Sequence, residues 1–190
     1  GRDLMVQAWY QGGLSLLDFT DAENPYEIAF FDRGPLSDEE LHTGGYWSTY
    51  WYNGYVFGAE ITRGIDVFRL TPSEHLSENE IEAAELVEFA EFNAQLQPAV
   101  DWPPSVAVVR AYLDQLDRND GVQPALYRRI DAVVDAAEST PSQATATALI
   151  DAARVLMTNA EQVAGGDRLG DAGRQRQLAE AMQELALSMQ

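Results

Sequence analysis

A segment near the start of the chain recurs once, 51 positions later. Residues 13–20, Gly-Leu-Ser-Leu-Leu-Asp-Phe-Thr, align with residues 64–71, Gly-Ile-Asp-Val-Phe-Arg-Leu-Thr. The strand predicted before each copy aligns as well, with Ala8 on Ala59. A repeat of this length made of short strands is one supersecondary unit used twice, and such units bury both faces only when neighbours stack on them.

The composition changes near residues 71–73. Residues 1–72 hold 14 of the 19 aromatic residues, in β-branched and aromatic runs separated by Gly, Asn and Pro, which is typical of short strands joined by tight turns. This pattern predicts six strands, over residues 4–10, 14–20, 26–32, 46–52, 55–62 and 65–70.

Residues 73–190 are rich in Ala, Glu, Gln and Asp and have helical periodicity. Ser77 and Glu80 have the spacing of a capping box, which predicts the start of a first helix. Five helices are predicted: over residues 77–93, from Pro104 to before Gly121, from near Pro124 and including Ala137, from Thr140 to Gly165-Gly166, and over about 171–188.

The residues of the strand-rich half resemble a known family. Residues 13–25 followed by 27–31 resemble the repeat of the LVIVD-repeat β-propeller proteins of bacteria, and residues 44–54 with 63–70 look like the last blade of those proteins. Asn79-Glu80-Ile81 and Trp102-Pro103 resemble the helical tail that follows the blades. The resemblance covers roughly residues 4–120.

This resemblance implies a β-propeller fragment of about 1.5 four-stranded antiparallel blades, followed by an all-α tail of about five helices. Residues 1–72 would be the C-terminal blades and residues 73–190 the tail. We expect 73–120 to pack on the blades and 140–190 to be more loosely attached. The family implies a secreted, periplasmic or cell-envelope protein, and an upstream part of the same protein, or another chain, that completes the propeller.

Charge and composition exclude several classes of function. With 12 basic and 31 acidic residues the formal net charge is −19, which repels nucleic acids and anionic lipid surfaces. There is no Cys, so disulfides and thiolate metal sites are excluded. No apolar run approaches the ~20 residues that a membrane-spanning helix needs.

Candidate binding residues cluster in one predicted strand and beside it. The aromatic residues there could pack between sheets or form stacking surfaces for sugars, peptides or cationic groups. Arg63 could hold an anionic ligand or pair with Glu60 or Asp66. His42 lies beside acidic residues, where a metal or general-base role competes with that of a solvated loop histidine. The candidate ligand-binding residues are Tyr46, Trp47, Tyr50, Trp51, Tyr52, Arg63 and His42.

Two functions follow from these observations. Because no complete catalytic constellation is present, we favour a non-enzymatic binding or scaffold protein of the cell envelope, with a protein or a small ligand as partner. The alternative is a metal-dependent or hydrolytic enzyme whose site lies in the propeller mouth, mostly in upstream blades. The sequence assigns no catalytic residue, no metal ligand and no cofactor.

Overall fold

The structure, a computed structural model, describes three stretches of the chain: residues 2–96, 100–163 and 169–190. The chain divides into two compact units. The strand unit comprises Arg2–Leu76 and Ala84–Val100. The helical unit comprises Ser77–Ala83 and Asp101–Gln190.

Six strands form two three-stranded antiparallel sheets in the strand unit, at positions close to those predicted. Sheet A has the order β1-β2-β3, and sheet B the order β4-β5-β6. The strands are β1 (Leu4–Ala8), β2 (Leu14–Asp18), β3 (Tyr26–Phe31), β4 (Tyr46–Tyr52), β5 (Tyr55–Glu60) and β6 (Gly64–Arg69).

The prediction of four-stranded propeller blades was wrong, because each sheet has three strands among the described residues. After β6 the chain reaches Pro72, which has no N–H group to donate to a strand ladder. Ser73 and Leu76 then bond to each other, with N–O distances of 2.8 and 3.3 Å between their backbone groups. This turn leads into a helix, so the residues after β6 do not return as a fourth strand of sheet B.

The turn between β4 and β5 follows directly from its sequence. Asn53 and Gly54 have φ values of 46° and 83°, as the two central residues of a type I′ hairpin turn require. The Asn53 side chain also accepts a hydrogen bond from the backbone N–H of Phe89, at 2.8 Å. The Asn-Gly pair therefore sets the register of this hairpin.

The two sheets pack on each other through one face of each. The ring of Phe31 in β3 lies 4.7 Å from that of Phe68 in β6 and 6.4 Å from that of Tyr46 in β4. A Cβ added at Gly58 would lie 3.2 Å from Cδ1 of Leu14. Leu14 is 6% exposed, so this contact forms the core of the strand unit.

Five α-helices are present in the described residues, which confirms the predicted number. The first cap is also confirmed, because the Ser77 N–H donates to the Glu80 carboxylate (2.8 Å) and the Glu80 N–H donates to the Ser77 hydroxyl (3.2 Å). The helices are α1 (Glu78–Glu85), α2 (Val106–Arg118), α3 (Pro124–Ser139), α4 (Gln143–Val163) and α5 (Leu169–Ser188), with a short 3₁₀ turn at Ala94–Leu96.

Helices α2 to α5 enclose an apolar core. Ile130, Leu156 and Leu178 are fully buried in it. The buried side chain of Gln175 donates to the carbonyl of Gly121 (2.7 Å) and accepts from Asn159 (2.8 Å), so its amide is satisfied. The helical unit therefore has a complete core of its own.

The division of the chain at residue 72 stays a prediction. So does the expected packing of residues 73–120 on the strands, with residues 140–190 more loosely attached.

Candidate functional site

The aromatic residues of β4 do not form one surface. A bulge lies between Tyr46 and Ser48, so Trp47 interrupts the alternation of side chains. The register puts Trp51 on the same face as Tyr46, and Tyr50 on the opposite face. Exposure differs accordingly, since Tyr46 is 2% exposed, Tyr50 46% and Trp47 63%. The structure thus separates the residues that the sequence grouped.

Tyr46 takes part in a polar contact inside the strand unit. Its hydroxyl donates to Oδ2 of Asp66 at 2.6 Å, and the guanidinium of Arg33 donates to Oδ1 at 2.6 Å. Burial and the bond to Asp66 raise the pKa of Tyr46 well above its ordinary value. The bonds from Tyr46 and Arg33 lower the pKa of Asp66. These groups hold β4, β6 and the end of β3 together.

Tyr52 and Arg63 also contact their own unit. The Tyr52 hydroxyl donates to the carbonyl of Phe89 at 2.8 Å, and its ring lies 6.1 Å from that of Phe92. The Arg63 guanidinium donates to the carbonyl of Pro35 at 3.3 Å. The Tyr52 and Arg63 side chains therefore hold two loops of the strand unit in place.

Glu60 organises the turn that carries Arg63. Its carboxylate accepts from the backbone N–H groups of Gly45 (2.8 Å), Thr62 (2.7 Å) and Arg63. Burial alone raises the pKa of Glu60, but these three bonds outweigh it and leave the pKa below its ordinary value. Glu60 is 5% exposed, so its carboxylate stabilises this turn.

An open cleft with aromatic walls lies at one corner of the sheets, with a volume of about 470 Å³. We call it the aromatic cleft, lined by Trp9, Tyr10, Gln11, Leu41, His42, Thr43 and Gly44. Trp9 is 52% exposed, Tyr10 54% and Leu41 97%. Trp47 adjoins the cleft, because its ring packs edge-on against that of Tyr10 with centroids 5.7 Å apart.

The backbone of Tyr10 is held in an unusual conformation beside this cleft. Its φ is 54°, in the left-handed region that residues other than Gly rarely adopt. Its N–H donates to the Tyr46 carbonyl (3.2 Å), and its carbonyl accepts from Tyr46 (3.0 Å) and Gly13 (3.1 Å). Such strain costs about 1–3 kcal/mol and concentrates at functional sites.

Gly45 makes that contact possible. Its φ is +87°, and a Cβ there would lie 2.0 Å from the carbonyl carbon and oxygen of Tyr10. Only glycine lets the two backbones approach this closely. The sequence Gly44-Gly45 therefore fixes where the Tyr10 side chain is displayed.

The second wall of the cleft, residues 41–44, is tied to the sheets by two side chains. Gln11 donates its amide N–H to the carbonyl of His42 at 2.7 Å, and the Thr62 hydroxyl donates to the carbonyl of Thr43 at 3.0 Å. The His42 ring is half exposed, and its Nε2 lies 3.4 Å from a carboxylate oxygen of Glu40. Of the predicted binding residues, the cleft thus contains His42, with Trp47 beside it.

Sequence reasoning missed Trp9, Tyr10 and Leu41. The sequence pattern predicts a strand that ends at Tyr10, but β1 ends at Ala8. A signal was present, since Gly12-Gly13, two positions after Tyr10, is typical of a turn that ends the strand before Trp9 and Tyr10. The pairing of Tyr10 with Tyr46 is a contact over 36 positions, and nothing local indicates it.

In the described part of the chain, no three or more acidic or histidine side chains are grouped so that they could hold a metal ion. None of the helices in the described ranges has the length and apolar composition to cross a membrane.

The chain was compared with protein-family models, with curated proteins and with solved structures. None of the three comparisons found a match.

Proposed function

We propose that the chain is a non-enzymatic binding protein whose strand unit binds a cationic ligand in the aromatic cleft. The observation that carries the proposal is the backbone of Tyr10. It is strained, fully hydrogen-bonded and fixed against Gly45, and it leaves 54% of an aromatic side chain exposed. A fixed and exposed aromatic side chain is preorganised for binding, because little entropy is lost when a ligand stacks on it.

The chemistry of the cleft favours a cation. Aromatic faces attract ammonium and guanidinium groups, with about 0.5–1 kcal/mol for an exposed contact. Asp38, Glu39 and Glu40 lie directly before Leu41 in the chain, and the whole chain carries a formal charge of −19. The lining contains no Arg or Lys. A basic peptide segment or side chain is therefore the class of ligand that we propose.

The test is a titration of the chain with a short fluorescent peptide of alternating Arg and Gly. Leu41→Arg puts a positive charge in the cleft, and Leu187→Arg puts the same charge on an exposed position of α5. We expect Leu41→Arg to weaken binding at least about fivefold more than Leu187→Arg, from lost contact and local repulsion.

Equal weakening in the two variants would mean that the peptide responds only to the net charge, and would overturn the proposal. So would the absence of binding to the unmodified chain. Leu41→Glu is the second control, because it keeps the size of the change and reverses the charge, so it should not weaken binding of the cationic peptide.

The cell-envelope or secreted location stays a prediction that rests on the resemblance to the LVIVD-repeat proteins. So does that family resemblance itself, and so does the alternative of a metal-dependent or hydrolytic enzyme. Nucleic acid is not a partner that we propose, since the negative charge of the chain opposes it.

A further inference from the structure

The repeat in the sequence is also a repeat in the structure. In the first hairpin, β1 and β2 pair Leu4 with Asp18 and Ala8 with Leu14. In the second, β5 and β6 pair Tyr55 with Arg69 and Ala59 with Ile65. Each residue of the second hairpin is 51 positions after its counterpart, so the two hairpins have the same register. Equivalent positions can therefore be compared face by face.

One face of the first hairpin is buried by stacking. Leu14 and Leu16 are 6% and 7% exposed on a face that packs against sheet B. The face of sheet B that packs against this one, the receiving face, includes Val56, Gly58 and Phe68. Val56 and Phe68 line an apolar groove together with Leu14 and Leu16, and a Cβ at Gly58 would touch Leu14. This contact between the two repeats is established within the chain.

The equivalent face of the second hairpin is open. Ile65 is the counterpart of Leu14 and Val67 the counterpart of Leu16, yet they are 74% and 56% exposed. We call this face the outer face of sheet B; it comprises Ser48, Tyr50, Tyr52, Tyr55, Phe57, Ala59, Ile65, Val67 and Arg69. At its Tyr52 end it packs against Phe92, with ring centroids 6.1 Å apart. A solvent-facing sheet surface ordinarily carries polar residues, so this one has the composition of an interface.

The chain also carries a second face of the receiving type. Met5, Gln7, Ser15 and Leu17 are the counterparts of Val56, Gly58, Asp66 and Phe68. They form the outer face of sheet A, together with Phe30 and Glu27 of β3, which pair with Ser15 and Leu17. Met5 is 39% exposed and Phe30 75%. Ser15 is 8% exposed, because its hydroxyl accepts from the Trp9 indole N–H and donates to Glu27, so this face is exposed at Met5 and Phe30. Each chain thus presents one exposed apolar patch of each type.

We propose that copies of this chain associate head to tail, with the outer face of sheet B of one copy packed on the outer face of sheet A of the next. The contact repeats the packing of the two hairpins within the chain and continues it in the same direction. Because the two surfaces differ, the contact is heterologous, and further copies can add.

The net charge of the chain gives the sign of the salt dependence. The outer face of sheet B carries one charged residue, Arg69, whose guanidinium donates to the Glu85 carboxylate at 2.8 Å. Each copy nevertheless has a formal charge of −19, so two copies repel each other at a distance. Salt screens that repulsion without weakening apolar contacts. Association should therefore strengthen as salt is raised.

The experiment is sedimentation velocity of the full chain at loading concentrations from about 10 µM to about 1 mM, where a small interface dissociates. Ile65→Asp removes one face and Phe30→Asp the other. Both side chains are about three-quarters exposed, so neither change threatens the fold. Leu187→Asp is the matched control, with the same charge added at an exposed apolar position of α5.

We expect the unmodified chain and Leu187→Asp to associate, and each face variant alone to be monomeric. A mixture of Ile65→Asp and Phe30→Asp should form a 1:1 dimer and nothing larger, because each variant retains the face that the other lacks. This rescue is specific to a head-to-tail contact.

Three results would overturn the proposal. One is a monomeric chain at every concentration and salt, which would mean that another partner or none covers these faces. Another is a dimer abolished by Ile65→Asp but not by Phe30→Asp, which would indicate a symmetric contact. The third is association that weakens as salt is raised.

Discussion

In the helical unit Leu113, Leu116 and Ile130 are at most 1% exposed, whereas in the strand unit Phe30 and Ile65 are 75% and 74% exposed. Both units are rich in apolar residues. The helices place theirs along stripes that meet in one core, while the sheets have two faces each and stack through only one. The helical unit therefore buries its apolar core, whereas the strand unit leaves apolar side chains exposed on its outer faces.

The contrast identifies where the chain interacts. A unit that buries its large apolar side chains has no need of a partner, but exposed aromatic and aliphatic patches on sheets are typical of binding surfaces. In the strand unit these patches are fixed by buried polar contacts, such as the ion pair of Arg2 with Asp18 at 2.7 Å. The binding surfaces are thus open but their backbone is well anchored.

The largest effect should come from a cavity in the helical core. Leu156 is fully buried, so Leu156→Ala should lower the free energy of unfolding by about 2–5 kcal/mol. Val67→Ala, at a position 56% exposed in the strand unit, should change it by less than about 0.5 kcal/mol. Urea unfolding followed by circular dichroism measures both. Equal losses would contradict the contrast between the units.

A smaller effect should separate two glycines of the strand unit that both have positive φ. Gly45→Ala forces a Cβ into the Tyr10 backbone, so we expect a loss of at least about 2 kcal/mol and loss of cleft binding. Gly34→Ala, where a Cβ meets nothing within 4 Å, bears only the strain of its φ of +76°, about 1 kcal/mol. Similar losses in urea unfolding would show that the contact between Gly45 and Tyr10 does not fix the cleft.

The smallest effect should be on acid sensitivity. The Tyr46 and Arg33 bonds lower the pKa of Asp66 below its ordinary 3.8, so the folded state binds this proton less tightly than the unfolded state does. The stability that Asp66 contributes is therefore complete above that value and is lost as pH falls through the folded pKa. Asp66→Asn should reduce the loss of stability in acid. The loop variant Asp38→Asn is the control. An unchanged acid profile in Asp66→Asn would contradict the role of Asp66 in acid sensitivity.

Local signals predicted the positions of the elements, except that the first helix ends at Glu85 and not at Asn93. Alternating aromatic and β-branched runs located the strands, and Asn53-Gly54 located a hairpin turn, because both depend on neighbours in sequence. The cap of α4 was misplaced by a small distance: Thr140 was predicted, whereas the Ser142 hydroxyl accepts from the N–H of Thr145 at 3.2 Å. Two residues with cap chemistry, Thr140 and Ser142, lie two positions apart and leave such a choice open.

Pairing between distant strands was less predictable. The strand positions do not say which edges meet, so the number of strands in a sheet was wrong. The aromatic cleft was missed for the same reason. Tyr10 meets Tyr46 through backbone hydrogen bonds, which do not depend on the type of side chain. Tyr46 was predicted to bind a ligand because it is aromatic, but the fold buries it against Asp66 and Phe68.

The central claim, that the aromatic cleft is the binding surface, is tested most directly by the four indole N–H signals in a ¹⁵N NMR titration with the Arg-Gly peptide. The chain has four Trp, of which Trp9 lines the cleft and Trp47 adjoins it, while Trp51 and Trp102 are only partly exposed and lie outside its lining. We expect the signals of Trp9 and Trp47 to shift together with one affinity while those of Trp51 and Trp102 stay in place. Shifts confined to Trp51 and Trp102, or no shift in any of the four, would contradict it.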